Sequence, residues 1–376
     1  MNKKIEPFKT PIYVTRPMLA PLNIVNKKIK EIWKSQWLTN NGPQHQLLEK
    51  EIEKTLKTKN VSLFNNGTIA LLVAIKALDL KGEVITTPFT FAATPHSLFW
   101  NNLKIVFCDI YPNSMCIDVD KIESLITPKT SAILAVHVFG NPCNVYKIEE
   151  IAKKYNLKVI YDCAHAFQLE IDNKAVSDFG DINMFSFHAT KLFNTLEGGC
   201  LTTKDPEIKK KIDLLKNFGI LDEDHVETVG INGKLNEVQA GIGLINLKII
   251  NEERQKRKKI EEIYIKKLKD IKGVKIFKSK NVTQPSYQYF AIQINEKEYG
   301  INRDELYKKL KQYNIFSRKY FYPLCSNFSC YSNNISGKSQ KLPVSNKIVN
   351  EVLSLPFYGN LKKTEIEKIC QIIKNH

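Results

Sequence analysis

The chain has 376 residues, with 56 Lys or Arg against 39 Asp or Glu and a formal charge of +17. Its length suits two or three domains; 43% hydrophobic and 25% charged residues exclude a disordered tail, a collagen and a disulfide miniprotein. The charge raises nucleic acid as a partner. Yet only Arg16, Arg254, Arg257, Arg303 and Arg318 are arginine, the residue that makes bidentate phosphate and guanine contacts. The lysine excess reads as solvated surface, with no nucleic-acid partner expected.

Helical patterns are expected over 22–35 and 46–56, and after Gly67-Thr68, where Ile69, Leu72, Ala74, Ile75 and Leu78 share helical spacing. Short apolar runs follow at Glu83–Thr86, Lys104–Asp109, Ala132–His137 and Lys158–Asp162, separated by helical stretches such as Tyr146–Tyr155. Uninterrupted apolar runs of this length mark strands buried on both faces of a parallel sheet. The alternation predicts an α/β doubly wound architecture. Past about Gly241 a long charged helix leads to apolar runs at Lys275–Phe277 and Tyr289–Ile292 and to two amphipathic helices. A domain change is placed near residue 250, giving a large domain over 1–250 and a smaller α+β domain over 251–376. The densest basic run, Arg254-Gln255-Lys256-Arg257-Lys258-Lys259, lies among Glu252, Glu253, Glu261 and Glu262 and is expected as a paired surface face of the long helix.

The eight cysteines include no C-x-x-C pair and sit mostly in apolar contexts such as Ile105–Cys108, so buried thiols in a reducing cytoplasm are expected. No secretory leader is visible after Met1, no apolar run reaches the ~18 residues of a membrane span, and the histidine spacings suggest no metal site.

Ligands of open α/β sheets bind at the carboxyl ends of the strands, and three polar interruptions fall there. Asn65-Asn66-Gly67-Thr68 opens a helix, where free amides and the helix dipole suit a phosphate, although a plain cap would use the same residues. Asp162 ends an apolar strand, so it caps a turn or meets a ribose, a metal or a protonated ring nitrogen. Lys191 stands in Phe185-Ser186-Phe187-His188-Ala189-Thr190-Lys191-Leu192-Phe193; a desolvated lysine becomes a nucleophilic amine, whereas a snorkelling lysine is the ordinary alternative. Together, an anion cradle, a strand-end carboxylate and an apolar lysine match pyridoxal 5′-phosphate.

The chain resembles the DegT-type nucleotide-sugar aminotransferases from about Pro11 to Ile373. The motifs are Trp37 to Pro43, Asn66-Gly67-Thr68, Thr87 to Thr94, Val136 to Gly140, Tyr161 to His165, Ser186 to Lys191, Gly230-Ile231-Asn232-Gly233-Lys234 and Leu353 to Pro356. The resemblance implies the aspartate-aminotransferase-like fold (fold type I), with a large domain on a mostly parallel sheet and a smaller α+β domain. It implies Lys191 as the Schiff-base lysine and proton shuttle and Asp162 as partner of the ring nitrogen. By the same resemblance Phe91 would stack on the ring, Gly67, Thr68 and Ser186 would bind the phosphate, and His165, where the family often has Gln, would reach the ring hydroxyl. The resemblance also implies that Asn232 reaches the phosphate from a neighbouring subunit, and hence a homodimer with shared active sites. Thr39, His188, Lys234, Arg318 and Tyr320 are substrate-binding candidates. Lys234 replaces a family arginine and keeps the charge without the bidentate fork.

Within the family, the motifs around Thr39, Ser186 to Thr195 and Gly230 to Lys234 are similar to the VioA-like branch. That implies amination of a dTDP-4-keto-6-deoxyhexose by L-glutamate, for surface polysaccharide. Amination at C-3 is the alternative. A sugar-dehydratase branch carries histidine in place of the lysine, which Lys191 argues against, and a basic regulatory protein would need an Arg-rich element.

Overall fold

The computed structural model describes residues 5–277, 281–331, 335 and 341–375. Strand β1 (Ile12–Tyr13) and helices α1 (Leu22–Ser35) and α2 (Pro43–Leu56) precede a seven-stranded sheet. Its strands are β2 (Val61–Phe64), β3 (Glu83–Thr86), β4 (Lys104–Phe107), β5 (Thr130–Val136), β6 (Lys158–Asp162), β9 (Ile182–Ser186) and β10 (Gly199–Thr203), with the short hairpin β7 (Glu170–Ile171) and β8 (Lys174–Ala175) outside it. The order is β2-β10-β9-β6-β5-β3-β4. Only β10 runs antiparallel to its neighbours. The carboxyl ends of β2, β3, β5, β6 and β9 therefore share one edge. The crossover helices α3 (Gly67–Ala77), α4 (Ala93–Trp100) and α5 (Val145–Tyr155) cover the faces, which is why the strands lack the alternation of a half-exposed sheet.

Two apolar cores follow. One lies about the large sheet, from Leu63, Ile85, Ile133 and Ile160 to Phe187. The other joins Ile12, Tyr264, Leu268, Phe290, Leu353 and Ile369. Here β11 (Val274–Ile276), β13 (Phe290–Ile294) and β15 (Val352–Leu355) make an antiparallel sheet, β12 (Val282–Gln284) joins the β7–β8 hairpin, and β14 (Ile315–Phe316) pairs in parallel with β1. After α6 (Pro206–Leu215), helix α7 (Glu237–Leu268) runs unbroken for 32 residues. It contributes Ala240, Leu244 and Ile250 to the first core and Ile260, Tyr264 and Leu268 to the second.

The basic run on α7 differs from the surface face expected. Arg254 and Arg257 are buried. Arg257 Nε donates to Glu253 at 2.7 Å and Nη1 to the Tyr287 carbonyl at 3.2 Å, while Arg254 Nη2 donates to the Pro285 carbonyl at 2.6 Å. The segment over 285–287 packs on this side of α7 and its free carbonyls draw the guanidinium groups inward; Lys256 pairs with Glu252 as expected. Helix α2 starts three residues earlier than its periodicity suggests. The Glu237 carboxylate accepts the Gln44 and His45 amides at 2.8 and 2.9 Å, a cap supplied from far along the chain. β4 stops at Phe107, and Asp109 beyond it accepts the Val344 and Ser345 amides, capping the helix Pro343–Glu351.

Candidate active site

The site gathers at the carboxyl edge of the sheet, as open α/β sheets require. Asp162 ends β6 beside Val136 of β5 and Met184 of β9 and is buried. Its Oδ2 accepts the Thr94 hydroxyl at 2.7 Å and its Oδ1 the Ala164 amide at 3.0 Å. Burial raises its pKa, while those two bonds and the charge of Lys191 oppose the rise. A carboxylate held this way is fixed in direction and retains lone pairs for a further donor.

Lys191 lies in the turn after β9, its amide donating to the His188 carbonyl at 2.8 Å. Gln288 pins this turn from the opposite side. Its Oε1 accepts the Leu192 amide at 2.7 Å and its Nε2 donates to the Thr190 carbonyl at 3.0 Å. The Lys191 Nζ stands 6.0 Å from the Tyr289 ring centre. Burial lowers its pKa to about 8, against the charge of Asp162. A neutral amine is therefore accessible near physiological pH, as nucleophilic and base chemistry need.

His165 belongs to a cluster of aromatic rings in which Phe139 and Phe321 also lie near-parallel to each other, 5.6 Å apart. It stacks near-parallel to Phe139 and Phe321, at 6.2 and 5.9 Å between centroids, and meets Tyr289 edge-on at 4.9 Å. Its Nδ1 faces the Phe139 amide at 3.2 Å, so Nδ1 accepts and the proton belongs on Nε2. Burial first, then Lys191, hold its pKa well below the usual range, leaving a neutral ring with one donor.

The anion cradle forms where β2 turns into α3. Asn66 caps the helix by accepting the Ile69 amide at 2.8 Å. The Gly67 and Thr68 amides precede the first intrahelical donor. A Cβ on Gly67 would meet Met184 Sδ at 3.1 Å and Ser186 Cβ at 3.2 Å, so glycine lets the helix start approach the end of β9. Ser186 Oγ accepts the His188 amide at a long 3.4 Å and keeps its own proton for a ligand. Phe91 is 62% exposed, just ahead of α4.

These contacts bring Asp162, His165, Lys191 and Tyr320 together, because Tyr320 meets Tyr289 edge-on at 5.5 Å. His188 turns toward Thr190 and Glu197, with Nδ1 2.8 Å from Thr190 Oγ1 and Nε2 3.4 Å from a Glu197 oxygen. The other substrate candidates have separate surroundings. Thr39 is exposed and its carbonyl accepts the Trp37 indole. Lys234 lies 4.8 Å from the Phe218 ring centre. Arg318 is exposed and pairs through its backbone with Ser354. Asn232 is exposed beside the β2–α3 turn, its carbonyl 3.5 Å from Asn65 Nδ2. Residues that the sequence reading missed are Thr94, Gln288 and Tyr289. Thr94 closes the Thr87 to Thr94 motif, and the other two reach the Lys191 turn from about a hundred residues away. Among the described residues no group of His, Cys, Asp and Glu is arranged to hold a metal, and no helix is long and apolar enough to cross a membrane.

A partly buried amine of lowered pKa, a fixed buried carboxylate, a neutral imidazole donor and a glycine-lined helix start are the donor set of a pyridoxal phosphate site, and that cofactor fits them. The chain belongs to the DegT/DnrJ/EryC1/StrS aminotransferase family, which matches residues 23–374. The curated relatives it resembles include dTDP-4-amino-4,6-dideoxy-D-glucose transaminases of Shigella dysenteriae, 46% identical over 98% of this chain and 99% of that protein, and of Escherichia coli, 44% identical over 99% of each. A solved structure, DesI with its TDP-sugar product, superposes with a TM-score of 0.93 at 31% identity, covering 98% of this chain and 94% of that one. The protein is an aminotransferase of the nucleotide-sugar class.

Proposed function

We propose that the enzyme transfers the amino group of L-glutamate to C-4 of dTDP-4-keto-6-deoxy-D-glucose, yielding dTDP-4-amino-4,6-dideoxy-D-glucose for surface polysaccharide. The observation that carries this reading is the meeting of Lys191, Asp162 and His165 in a chain that matches two such transaminases along almost its whole length. Pyridoxal phosphate, when bound, supplies an electron sink conjugated to the carbon that gains or loses nitrogen.

The chain's own residues divide the remaining work. The Lys191 Nζ would take the α-carbon proton of glutamate in one half-reaction and deliver a proton to C-4 of the sugar in the other, work suited to an amine whose pKa is about 8. Asp162 holds negative charge against the ring nitrogen. His165 donates through Nε2 toward the ring hydroxyl. Gly67, Thr68 and Ser186 would hold the cofactor's phosphate, and Phe91 would cover its ring. Lys234, Arg318, His188, Thr39 and Tyr320 are the proposed substrate contacts. The segments carrying Thr39 and Asn232 also expose Trp37, Leu38, Phe218, Leu221 and Val229. That supports a homodimer in which Asn232 completes the partner's phosphate site.

The test is a half-reaction. The protein reconstituted with pyridoxal phosphate is titrated with L-glutamate, and loss of the visible absorption band is followed with formation of 2-oxoglutarate. One equivalent of 2-oxoglutarate per site is expected. No spectral change with glutamate would overturn the reading, and Lys191→Ala should lack the starting band.

A further inference from the structure

We propose that the buried hydroxyl pair Thr90–Thr94 is a positioning relay that fixes Asp162 as a carboxylate and so decides whether Asp162 or the cofactor's ring nitrogen holds the proton they share. The inference rests on the pyridoxal phosphate reading of the site.

The direction of the relay follows from counting protons. Thr94 Oγ1 lies 2.7 Å from Asp162 Oδ2, and a carboxylate only accepts, so the Thr94 hydroxyl proton is committed there. Thr90 Oγ1 lies 2.9 Å from Thr94 Oγ1. With the Thr94 proton spent, Thr90 must be the donor, and the chain runs Thr90 to Thr94 to Asp162. Both threonines are buried, at 3% and 0% exposure, so water cannot replace either donor. Successive donations polarise one another, most strongly in dry surroundings.

The relay is held at both ends. Thr94 sits in the first turn of α4, its amide bonded to the Phe91 carbonyl and its own carbonyl accepting the Ser97 hydroxyl. The Thr90 carbonyl accepts the Cys325 thiol at 3.2 Å, and the Cys325 amide donates to Pro88. The far segment thereby clamps the turn that aims the hydroxyls. The other groups about Asp162 are Lys191, whose charge favours the carboxylate, the Ala164 amide on Oδ1 and the neighbouring Cys163 thiol. His165 is held neutral. Lys191 moves protons during turnover, so its charge is not constant, whereas the Thr94 donation persists in every protonation state of the amine. A carboxylate stripped of that donation is a stronger base and draws the shared proton from the ring nitrogen, weakening the electron sink.

The test uses holoenzyme loaded with pyridoxal phosphate labelled with nitrogen-15 in the ring, observed by nuclear magnetic resonance. Thr94→Val keeps the shape and removes the donor. Its ring-nitrogen resonance should move toward the unprotonated pyridine position, by a proton-partition change on the order of tenfold. Thr94→Ser should restore the wild-type position. Thr90→Val should move it the same way by less, and decides the matter if Thr94→Val does not fold. Resonances superposing on wild type in the folded valine variants overturn the inference while leaving the site reading intact. A wild-type protein that binds no pyridoxal phosphate overturns the site reading, and the inference with it.

Discussion

The lowered pKa of Lys191 has a consequence that can be read without any cofactor. With a midpoint of about 8, roughly a quarter of the Lys191 amines are neutral at pH 7.5, against about one in a thousand for a lysine titrating at 10.5. The reactive form is thus enriched a few hundredfold. Burial depresses the midpoint and the Asp162 charge holds it up, so Asp162→Asn should lower it further even as it removes the partner of the ring nitrogen. The assay is competitive acylation of the apoprotein across pH 6–11. Peptide mass spectrometry follows Lys191 against exposed lysines such as Lys210, whose side chain is 73% exposed. Wild-type Lys191 should acylate with a midpoint near 8, and Asp162→Asn with a lower one. A Lys191 that titrates with the surface lysines, or a midpoint that rises in Asp162→Asn, would refute the electrostatic account of the site.

Further outcomes follow from other contacts. Gly67→Ala should fold yet bind pyridoxal phosphate at least tenfold more weakly in a spectroscopic titration, because the new Cβ presses on Met184 and Ser186 at the cradle. His165→Gln, which keeps a side-chain donor, should retain turnover to within about tenfold, whereas His165→Phe loses more than that; the wild-type rate profile should show no limb near pH 6.5 from a His165 held neutral by burial and Lys191. Glu237→Ala removes two amide bonds at the start of α2 and should cost about 1–3 kcal/mol in urea unfolding. Burial alone would raise Glu49, but His45, Lys216 and Lys209 outweigh it and bring its pKa to about 2. Its folded pKa lies below its unfolded value of 4.5, so its stabilisation is present above pH 4.5 and is lost as pH falls through about 2. Glu49→Gln should flatten that acid loss of stability, by about 2–3 kcal/mol over the window.

The legible part of the protein was the part written in neighbouring residues. The apolar runs at Glu83–Thr86 and Lys158–Asp162 became β3 and β6 with the same bounds, and Leu22–Ser35 became α1, because local pattern and burial agree there. Lys191 stood out by its apolar neighbours, and Asp162 by ending a strand. Features carried by long-range contacts were hidden. No sequence signal shows that Glu237 caps α2, that Gln288 holds the Lys191 turn, or that carbonyls at 285 and 287 pull Arg254 and Arg257 out of solvent. Thr94 was in view as part of a motif, but its hydrogen bond to Asp162 spans 68 residues and only the packed sheet edge reveals it. The charge of +17, which first raises nucleic acid, gains another use beside an anionic nucleotide sugar, whose approach a positive field assists.

The most direct test of the proposed reaction is incubation of the pyridoxal phosphate enzyme with dTDP-4-keto-6-deoxy-D-glucose and L-glutamate, with the product structure determined by nuclear magnetic resonance. A dTDP-sugar carrying its new amine at C-4 in the gluco configuration, formed with equimolar 2-oxoglutarate, is the predicted result. An amine at C-3, the opposite configuration at C-4, or no consumption of the ketosugar would contradict it.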